Sequence, residues 1–334
     1  MLRIGYKASA EQFGPNELLD FACIAEEVGF DSVFISDHFQ PWKHTDGHAP
    51  ASLPWLGALG ARTKRIVMGT SVMTPTFRYH PSVVAQAFAT LSVMFPNRLI
   101  LGVGTGESLN DVPALGITWP KFKERRLRLQ ESIELMRRLW TEERVSFQGD
   151  YYQTENATLY DKPSSPVPIY VAAGGPMMAK ITGNIAEGFI CTSGKPWDLY
   201  TEKLLPSVDA GLEDAGKTLD SIDRMIEMKV SFDTDHQRAL EDTRHWAALA
   251  LTAEEKISVE DPVEMEKLAD ALPVERAASR WIVSSDADEH VEKIRAYADL
   301  GFNHLVFHAP GPDQERFLRL YGDAVLPRLR ATLG

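Results

Sequence analysis

The sequence predicts a (β/α)8 barrel, and three observations support that fold class. Eight short apolar runs recur along the chain, separated by segments with the 3.6-residue periodicity of helices. The runs are apolar throughout and do not alternate with polar residues, which is typical of parallel strands covered by helices on both faces. The chain has 334 residues, and barrels of this kind commonly run beyond about 250 residues as one unit.

The first half of the chain supplies four of the eight predicted strands. We expect them over residues 3–6, 32–36, 65–71 and 99–104. A helix over residues 16–28 carries an apolar stripe and is expected to end at Gly29, because glycine readily adopts the left-handed conformation that closes a helix. Further helices are expected over residues 82–93, directly after Pro81, and over residues 122–140.

The second half supplies the other four strands, expected over residues 168–172, 188–191, 225–232 and 304–308. The helices expected around them cover residues 198–215, 288–300 and 313–329, and one more begins at Pro176. Two stretches are longer than one strand-and-helix repeat of the barrel needs. Residues 144–160 predict an inserted hairpin or loop, and residues 236–281 are long enough for extra helices. We therefore expect one domain, residues 1–334, with insertions near 144–160 and 236–281.

Composition and charge narrow the classes of function. The chain carries 47 Asp and Glu against 35 Lys and Arg, a formal charge of −12, and shows no basic stripe for nucleic acid. Its only cysteines, Cys23 and Cys191, are far apart and favour a reducing cytoplasm. No stretch approaches the roughly 18 apolar residues of a membrane span, and the first residues do not resemble a signal peptide.

Polar residues directly after the strands are the candidates for chemistry, because barrel enzymes react at the carboxyl ends of their strands. His38 follows the second strand and is the candidate base, since imidazole titrates near neutral pH. Glu107 follows a glycine-rich turn after the fourth strand and could exchange a proton. Trp42 could stack on a ring. Each residue could instead have a structural role: His38 could form a hydrogen bond to a loop, Glu107 could cap a helix, and Trp42 could pack at the rim.

Two glycine-rich turns invite comparison with phosphate-binding loops. The run from Gly102 to Gly106 has Glu107 where a dinucleotide fingerprint needs its third glycine, so we reject Rossmann-type binding. Gly174 and Gly175 precede a helix whose first amides would suit a phosphate. Alternatively, both runs are tight connections from a strand to a helix.

The remaining histidines and cations could in principle bind a metal ion or an anion. The spacing of His38, His44 and His48 fits no zinc signature, so we expect no metal. Lys195 follows the sixth strand, whereas Lys256 and Arg280 lie far along the chain. If these three cations converge they form an anion pocket, and otherwise they are surface charges.

Motifs that carry a family resemblance occur along nearly the whole chain. They are GYKASAEQF (5–13), SDHFQPW (36–42), GTSVMTPTFRY (69–79), LGVGTGE (101–107), AAGGP (172–176), GFICTSGK (188–195), LTAEEK (251–256), DALP and RWIV (270–283) and NHLVFHAPG (303–311). Together they resemble the F420-dependent glucose-6-phosphate dehydrogenases of actinobacteria, within the bacterial-luciferase-like barrel superfamily. The resemblance implies coenzyme F420, a 5-deazaflavin, as hydride acceptor. It also implies oxidation of glucose 6-phosphate at C1 to 6-phosphogluconolactone, with the hydride passing to C5 of the cofactor.

The resemblance also assigns roles to residues, motif by motif. His38 and Glu107 are implied as the acid–base pair, with Trp42 packed near the reacting carbon, and the sequence leaves open which of the pair acts as acid. The sugar phosphate would be bound by Thr192, Lys195, Lys256 and Arg280. The cofactor would be held by Asp37, Thr74, Thr105, Gly106, Asn110, Gly174, Gly175, Met177 and Met178. A non-prolyl cis peptide at Ser71–Val72 and a homodimer are implied as well.

Two other functions are kept open. One is an F420- or FMN-dependent oxidoreductase of the same superfamily that acts on another alcohol or sugar phosphate. The other is a non-catalytic binder of sugar phosphates, which would need the three cations but neither His38 nor Glu107.

Overall fold

Eight parallel strands close into a barrel in the computed structural model, which describes residues 2–252, 254–256 and 259–333. In order around the barrel they are β1 (Arg3–Ala8), β2 (Ser32–Ile35), β3 (Val67–Thr70), β4 (Leu99–Val103), β7 (Ile169–Ala172), β8 (Gly188–Thr192), β9 (Asp223–Phe232) and β11 (His304–His308). Pairing of β11 with β1 completes the circle, with Arg3 opposite His304 and Tyr6 opposite Phe307. The predicted fold class is confirmed, and all eight predicted strands are present.

Both long stretches contain structure of their own. Residues 144–160 form the predicted hairpin, in which β5 (Val145–Gln148) pairs antiparallel with β6 (Gln153–Ala157). The 236–281 stretch is helical, as predicted. It holds α8 (His236–Glu241), a 3₁₀ segment (Asp242–Ala250), α9 (Pro262–Asp270) and α10 (Val274–Ala278). The assignment of the whole chain to one domain stays a prediction.

The other helices surround the barrel. They are α1 (Pro15–Val28), α2 (Ser52–Arg62), α3 (Pro81–Met94), α4 (Ser108–Leu115), α5 (Phe122–Thr141), α6 (Pro176–Ile185), α7 (Leu205–Asp214), α11 (Ala287–Asp299), α12 (Gln314–Leu320) and α13 (Leu326–Leu333). Gly29 ends α1 as expected, with a φ of 105°. Single π-helical turns precede α7 and α13, so the two helices predicted over 198–215 and 313–329 are each interrupted.

Three elements were not predicted: α2, α4 and the short strand β10 (Ile282–Ser284), which pairs with the end of β9. The sequence of α2 has low helix propensity, because it contains Pro54, Gly57 and Gly60. Burial of Trp55 and Leu59 against the barrel stabilises it nevertheless. A side chain at Gly60 would meet the ring of Phe95 at 2.4 Å, so the glycine permits close packing.

Most buried apolar residues lie in one large cluster of strand and helix side chains. Cys191 belongs to that cluster, as expected for a buried thiol, and burial raises its pKa. In the part of the chain that the structure describes, no helix is long and apolar enough to span a membrane. The peptide bond Ser71–Val72 is cis, as the resemblance implied.

Candidate active site

A second apolar cluster fills the inside of the barrel and forms the floor of a cavity. Its members are Phe34, Ile100, Tyr170, Ile190, Met225 and Val306. Side chains two positions apart on a strand point to the same face, so the next inward residues lie one layer nearer the carboxyl ends. There the sequence changes from apolar to polar, with Ser36, Glu227 and His308 following three of the floor residues. A cavity of about 560 Å³ opens above that layer.

His38 lies between two carboxylates in this cavity. Its Nδ1 is 3.2 Å from Oε1 of Glu11, and its Nε2 is 3.8 Å from Oε2 of Glu107. Burial favours a raised pKa for Glu11, but His38, Lys7 and a hydrogen bond from Ser36 together hold that pKa below its ordinary value. The surroundings of Glu11 therefore favour its ionised form beside Nδ1 of the imidazole. The Glu107 side chain is 48% exposed and faces the other ring nitrogen.

Asp37, the neighbour of His38, is fixed by the protein itself. Its carboxylate accepts hydrogen bonds from the amide and hydroxyl of Ser52 at 3.1 and 2.7 Å and from Nη2 of Arg78 at 2.8 Å. The side chain is fully buried among these partners. Contact with a deazaflavin, which the resemblance implied, stays a prediction for Asp37. In this structure the carboxylate instead anchors the start of the loop that carries His38.

Trp42 links the histidine to the cations. Its ring centroid is 6.5 Å from that of His38, and Nζ of Lys256 lies 5.0 Å from the Trp42 ring centroid. A cation at this distance from an indole face is attracted by the ring quadrupole. Trp42 thus lies between His38 and the positive side of the cavity.

Three cations from distant parts of the chain line the cavity: Lys195, Lys256 and Arg280. Burial, with the charges of Arg280, Lys256 and Lys229, lowers the pKa of Lys195 to about 8. Burial also lowers the pKa of Lys256, Glu107 opposes that shift, and Arg280 and Lys229 add to it. Because all three line one cavity, their positive charges face the same space. An anion placed among them would relieve their repulsion.

The backbone around Gly194 brings Lys195 and Arg280 side by side. Gly194 has a φ of +71°, and a Cβ there would lie 2.4 Å from the carbonyl oxygen of Arg280. The Arg280 guanidinium is anchored by donating to the carbonyls of Leu249 at 2.7 Å and Ser193 at 3.4 Å. Glycine is therefore required at 194 for the approach.

The two glycine-rich turns differ in their surroundings. Gly106 has a φ of +87°, and a Cβ there would lie 2.8 Å from Oδ2 of Asp111. At Gly174 and Gly175 a Cβ would meet no atom within 4 Å, so their backbone is open. The side chain of Met178 packs in the large apolar cluster, which leaves its backbone amide as the group it could offer a ligand.

The structure brings thirteen of the sixteen predicted site residues together. The cavity is lined by Asp37, His38, Trp42, Thr74, Thr105, Gly106, Glu107, Asn110, Gly174, Thr192, Lys195, Lys256 and Arg280. Gly175, Met177 and Met178, predicted to hold the cofactor's phosphate tail, do not line it. Gly175 precedes α6, and Met177 and Met178 occupy its first turn, with Met177 58% exposed.

Sequence reasoning missed a buried charged group on the cavity wall. Glu227 lies 3.3 Å from Nζ of Lys7 and 3.1 Å from Nζ of Lys229, and Nδ1 of His308 is 3.6 Å away. Burial works against ionisation of Glu227, but the two lysines and His308 hold its pKa well below the ordinary value. A signal was present: Glu227 and Lys229 stand two apart in an otherwise apolar strand, hence on one face. Glu11 and Arg78 were missed too.

Within residues 2–252, 254–256 and 259–333, no group of three or more His, Cys, Asp or Glu is arranged to hold a metal ion. The charged and titratable groups that line the cavity include acids, bases and cations. An imidazole between two carboxylates can move a proton, and the cations can bind an anion in the same cavity.

Solved structures with the same architecture include cofactor-dependent enzymes. An F420-dependent secondary alcohol dehydrogenase, solved with an F420–acetone adduct, is 33% identical to the chain and superposes with a TM-score of 0.92 over 98% of this chain and 99% of its own. The tetrahydromethanopterin reductase of Methanopyrus kandleri, 22% identical with a TM-score of 0.82 over 98% and 99% of the two chains, shares the fold. Fold and cavity together place the chain among the (β/α)8 barrel proteins with a cavity at the carboxyl ends of the strands.

Sequence comparisons give the same class and narrow it. The family model for luciferase-like monooxygenases matches residues 2–304. The F420-dependent glucose-6-phosphate dehydrogenase of Nakamurella multipartita is 67% identical over 100% of the chain and 98% of that relative. The enzyme of the same name from Microbacterium testaceum is 64% identical over 98% of each. The chain therefore belongs to the luciferase-like family and, within it, to the F420-dependent glucose-6-phosphate dehydrogenases.

Proposed function

We propose that the chain oxidises D-glucose 6-phosphate at C1 to 6-phosphogluconolactone, with coenzyme F420 as the hydride acceptor. The observation that carries the proposal is that one cavity holds both the cations Lys195, Lys256 and Arg280 and the acid–base groups His38 and Glu107. A substrate with a phosphate at one end and an oxidisable alcohol at the other matches this arrangement. The names of the relatives in Nakamurella and Microbacterium support the same reaction.

The cavity fits a deazaflavin. Its volume of about 560 Å³ is within the usual range for cofactor sites. Gly174 leaves open space at its backbone, and Oε2 of Glu11 is buried without a hydrogen-bond partner among the described residues. Residues proposed to hold the cofactor are Asp37, Thr74, Thr105, Gly106, Asn110, Gly174, Gly175, Met177 and Met178. When bound, F420 supplies a two-electron acceptor for the hydride that leaves C1.

The side chains of the protein supply anchoring and proton transfer. Lys195, Lys256 and Arg280, with Thr192, bind the 6-phosphate, so the sugar enters with its other end toward His38. His38 takes the proton of the C1 hydroxyl as the C1–H bond breaks and the C1=O bond forms. Glu107 is the second proton carrier, on the other side of the cavity from Glu11.

The three cations raise the rate by positioning the bound sugar as well as by raising its affinity. Binding energy realised at the phosphate, remote from C1, holds the reacting carbon in place and removes encounter entropy from the chemical step. Trp42 contacts both halves of the site and limits the sugar's movement.

We further propose a homodimer in the cytoplasm, with no nucleic-acid or membrane partner. The homodimer follows from the family resemblance. The cytoplasm follows from two distant cysteines that are free in the structure.

The experiment that tests the proposed function mixes purified protein, oxidised F420 and glucose 6-phosphate and follows the visible absorbance of F420. We expect the absorbance to fall with glucose 6-phosphate, and not when FMN replaces F420. Turnover with FMN, or with a secondary alcohol in place of the sugar phosphate, would support the alternative luciferase-like oxidoreductase. Substrate binding without any turnover would support a sugar-phosphate binder.

A further inference from the structure

We propose that Asn110 is a positioning residue that joins the loop carrying His38 to Glu107 and so fixes the distance between the two proton carriers. The loop is residues 36–42, called the His38 loop below. This proposal rests on the proposed function and adds to it a role for one side chain. Contact with the cofactor, implied for Asn110 by the resemblance, does not require that role.

Three hydrogen bonds join the Asn110 side chain to its neighbours in the protein. Its Oδ1 accepts hydrogen bonds from the amide of Phe39 at 2.7 Å and the amide of Gln40 at 3.1 Å. Its Nδ2 donates to Oε2 of Glu107 at 3.3 Å. That oxygen of Glu107 is the one 3.8 Å from Nε2 of His38.

The orientation of the amide follows from this network. Two backbone N–H groups can only be satisfied by an oxygen, so the Asn110 carbonyl must face the His38 loop and its NH2 must face Glu107. Asn110 is only 5% exposed, and an unmade hydrogen bond there would be costly. A residue with one acceptor and one donor arm is needed, which asparagine provides.

The backbone adds to the connection. Asn110 lies in the first turn of α4, and its amide donates to the carbonyl of Glu107 at 3.1 Å. Glu107, the turn and the His38 loop thus form one connected unit. A fixed acid–base geometry matters because proton transfer needs heavy-atom distances near hydrogen-bond length.

Two variants distinguish the role of the Asn110 carbonyl oxygen from that of its NH2 group. Asn110→Asp keeps an oxygen for the amides of Phe39 and Gln40 but turns an oxygen, not a donor, toward Glu107. Asn110→Ala removes both arms. Ser108→Ala is the matched control, because Ser108 lies in the same turn and is not among the residues that line the cavity.

Hydrogen–deuterium exchange of the peptide over residues 36–42, measured without cofactor, tests the hydrogen bonds between Asn110 Oδ1 and the His38 loop. We expect exchange to accelerate in Asn110→Ala and to match the wild type in Asn110→Asp and Ser108→Ala. The hydrogen bond between Asn110 Nδ2 and Glu107 is tested by NMR of the same cofactor-free protein. The signals followed are those of the His38 ring, assigned with a His38→Asn variant. They should shift in Asn110→Asp and stay in place in Ser108→Ala.

Kinetics then tests the consequence. In Asn110→Asp, kcat should fall about tenfold, the loss expected for one hydrogen bond to a charged group, while KM for glucose 6-phosphate stays within about twofold. In a Glu107→Gln background the same change should cost little, because the amide at 107 can donate to the new carboxylate. The cost of Asn110→Asp in the two backgrounds is compared as a double-mutant cycle.

Unchanged exchange in Asn110→Ala, unchanged His38 signals in Asn110→Asp, or an equal loss of kcat in both backgrounds would each overturn the proposal. Failure of the wild type to reduce F420 with glucose 6-phosphate would instead overturn the proposed function. The exchange and NMR measurements, which need no turnover, would still decide the role of Asn110.

Discussion

Replacing Lys256 with alanine removes one of the three cations proposed to bind the 6-phosphate. The change also removes the contact of its Nζ with the Trp42 ring, 5.0 Å from the centroid. The neighbouring carboxylate, Glu255, pairs with Arg276, so the variant does not break that ion pair. The effect should therefore fall on the substrate more than on the fold.

The size of the effect follows from the surroundings of Lys256. A charge-assisted hydrogen bond is worth about 1.5–3 kcal/mol, or roughly 10–150-fold in an equilibrium constant. Part of that gain offsets the repulsion of Lys256 by Arg280 and Lys229, which adds to the effect of burial in lowering the pKa of Lys256. Loss of one member relieves the others, so we expect about a 10–30-fold rise in KM for glucose 6-phosphate, near the lower end of that range.

The assay compares glucose 6-phosphate with unphosphorylated glucose, both with F420. Lys256→Ala should raise KM for the phosphorylated sugar and lower kcat by less, while kcat/KM for glucose changes by no more than about threefold. Lys203→Ala is the control, since Lys203 pairs with Asp198 on the surface and does not line the cavity. Equal losses for both sugars would refute the reasoning, because the lysine would then not act through the phosphate.

Three further predictions concern the base, the pH dependence and the glycine of the cation group. His38→Ala should lower kcat about 100-fold or more and change KM little, as expected for loss of a general base; normal turnover would remove His38 from that role. The lowered pKa of Lys195, about 8, means that this side chain loses its charge as pH rises through that value. KM for glucose 6-phosphate should therefore rise above pH 8, and Lys195→Met should lack that rise; a pH-independent KM in the wild type would contradict the prediction. Gly194→Ala places a side chain at a φ of +71° and 2.4 Å from the Arg280 carbonyl. The melting temperature should fall and KM for glucose 6-phosphate should rise, since the left-handed conformation alone costs about 1–2 kcal/mol; unchanged values of both would contradict it.

Much of the fold could be predicted from the sequence, because apolar strand patterns and glycine stops are local signals. All eight strands of the barrel were found this way. The helices that were not predicted were missed for physical reasons. The sequence of α2 contains proline and glycines that oppose a helix, and tertiary packing overrides them. The helix α4 is eight residues long with Pro113 inside it, too short and too irregular for a periodic signal.

The site was predictable in part. Position after a strand identified His38 and Glu107, but no local pattern brings Lys256 and Arg280 to Lys195, because convergence of distant residues is a property of the closed barrel. Those two entered through family resemblance. The pair formed by Glu227 and Lys229 could have been found from strand alternation, since charges two apart in an apolar strand must share an environment. Glu11 also follows a strand, β1, but no local pattern shows that its carboxylate faces His38.

The account depends on a single cavity in which a phosphate is held at one side while C1 is oxidised at the other. The ratio of kcat/KM for glucose 6-phosphate to that for glucose, measured with F420 and the wild-type protein, tests this most directly. Three cations contributing together predict a ratio of at least about 1000. A ratio near one would mean that the positive charges do not bind the phosphate of the reacting sugar, and would contradict the account.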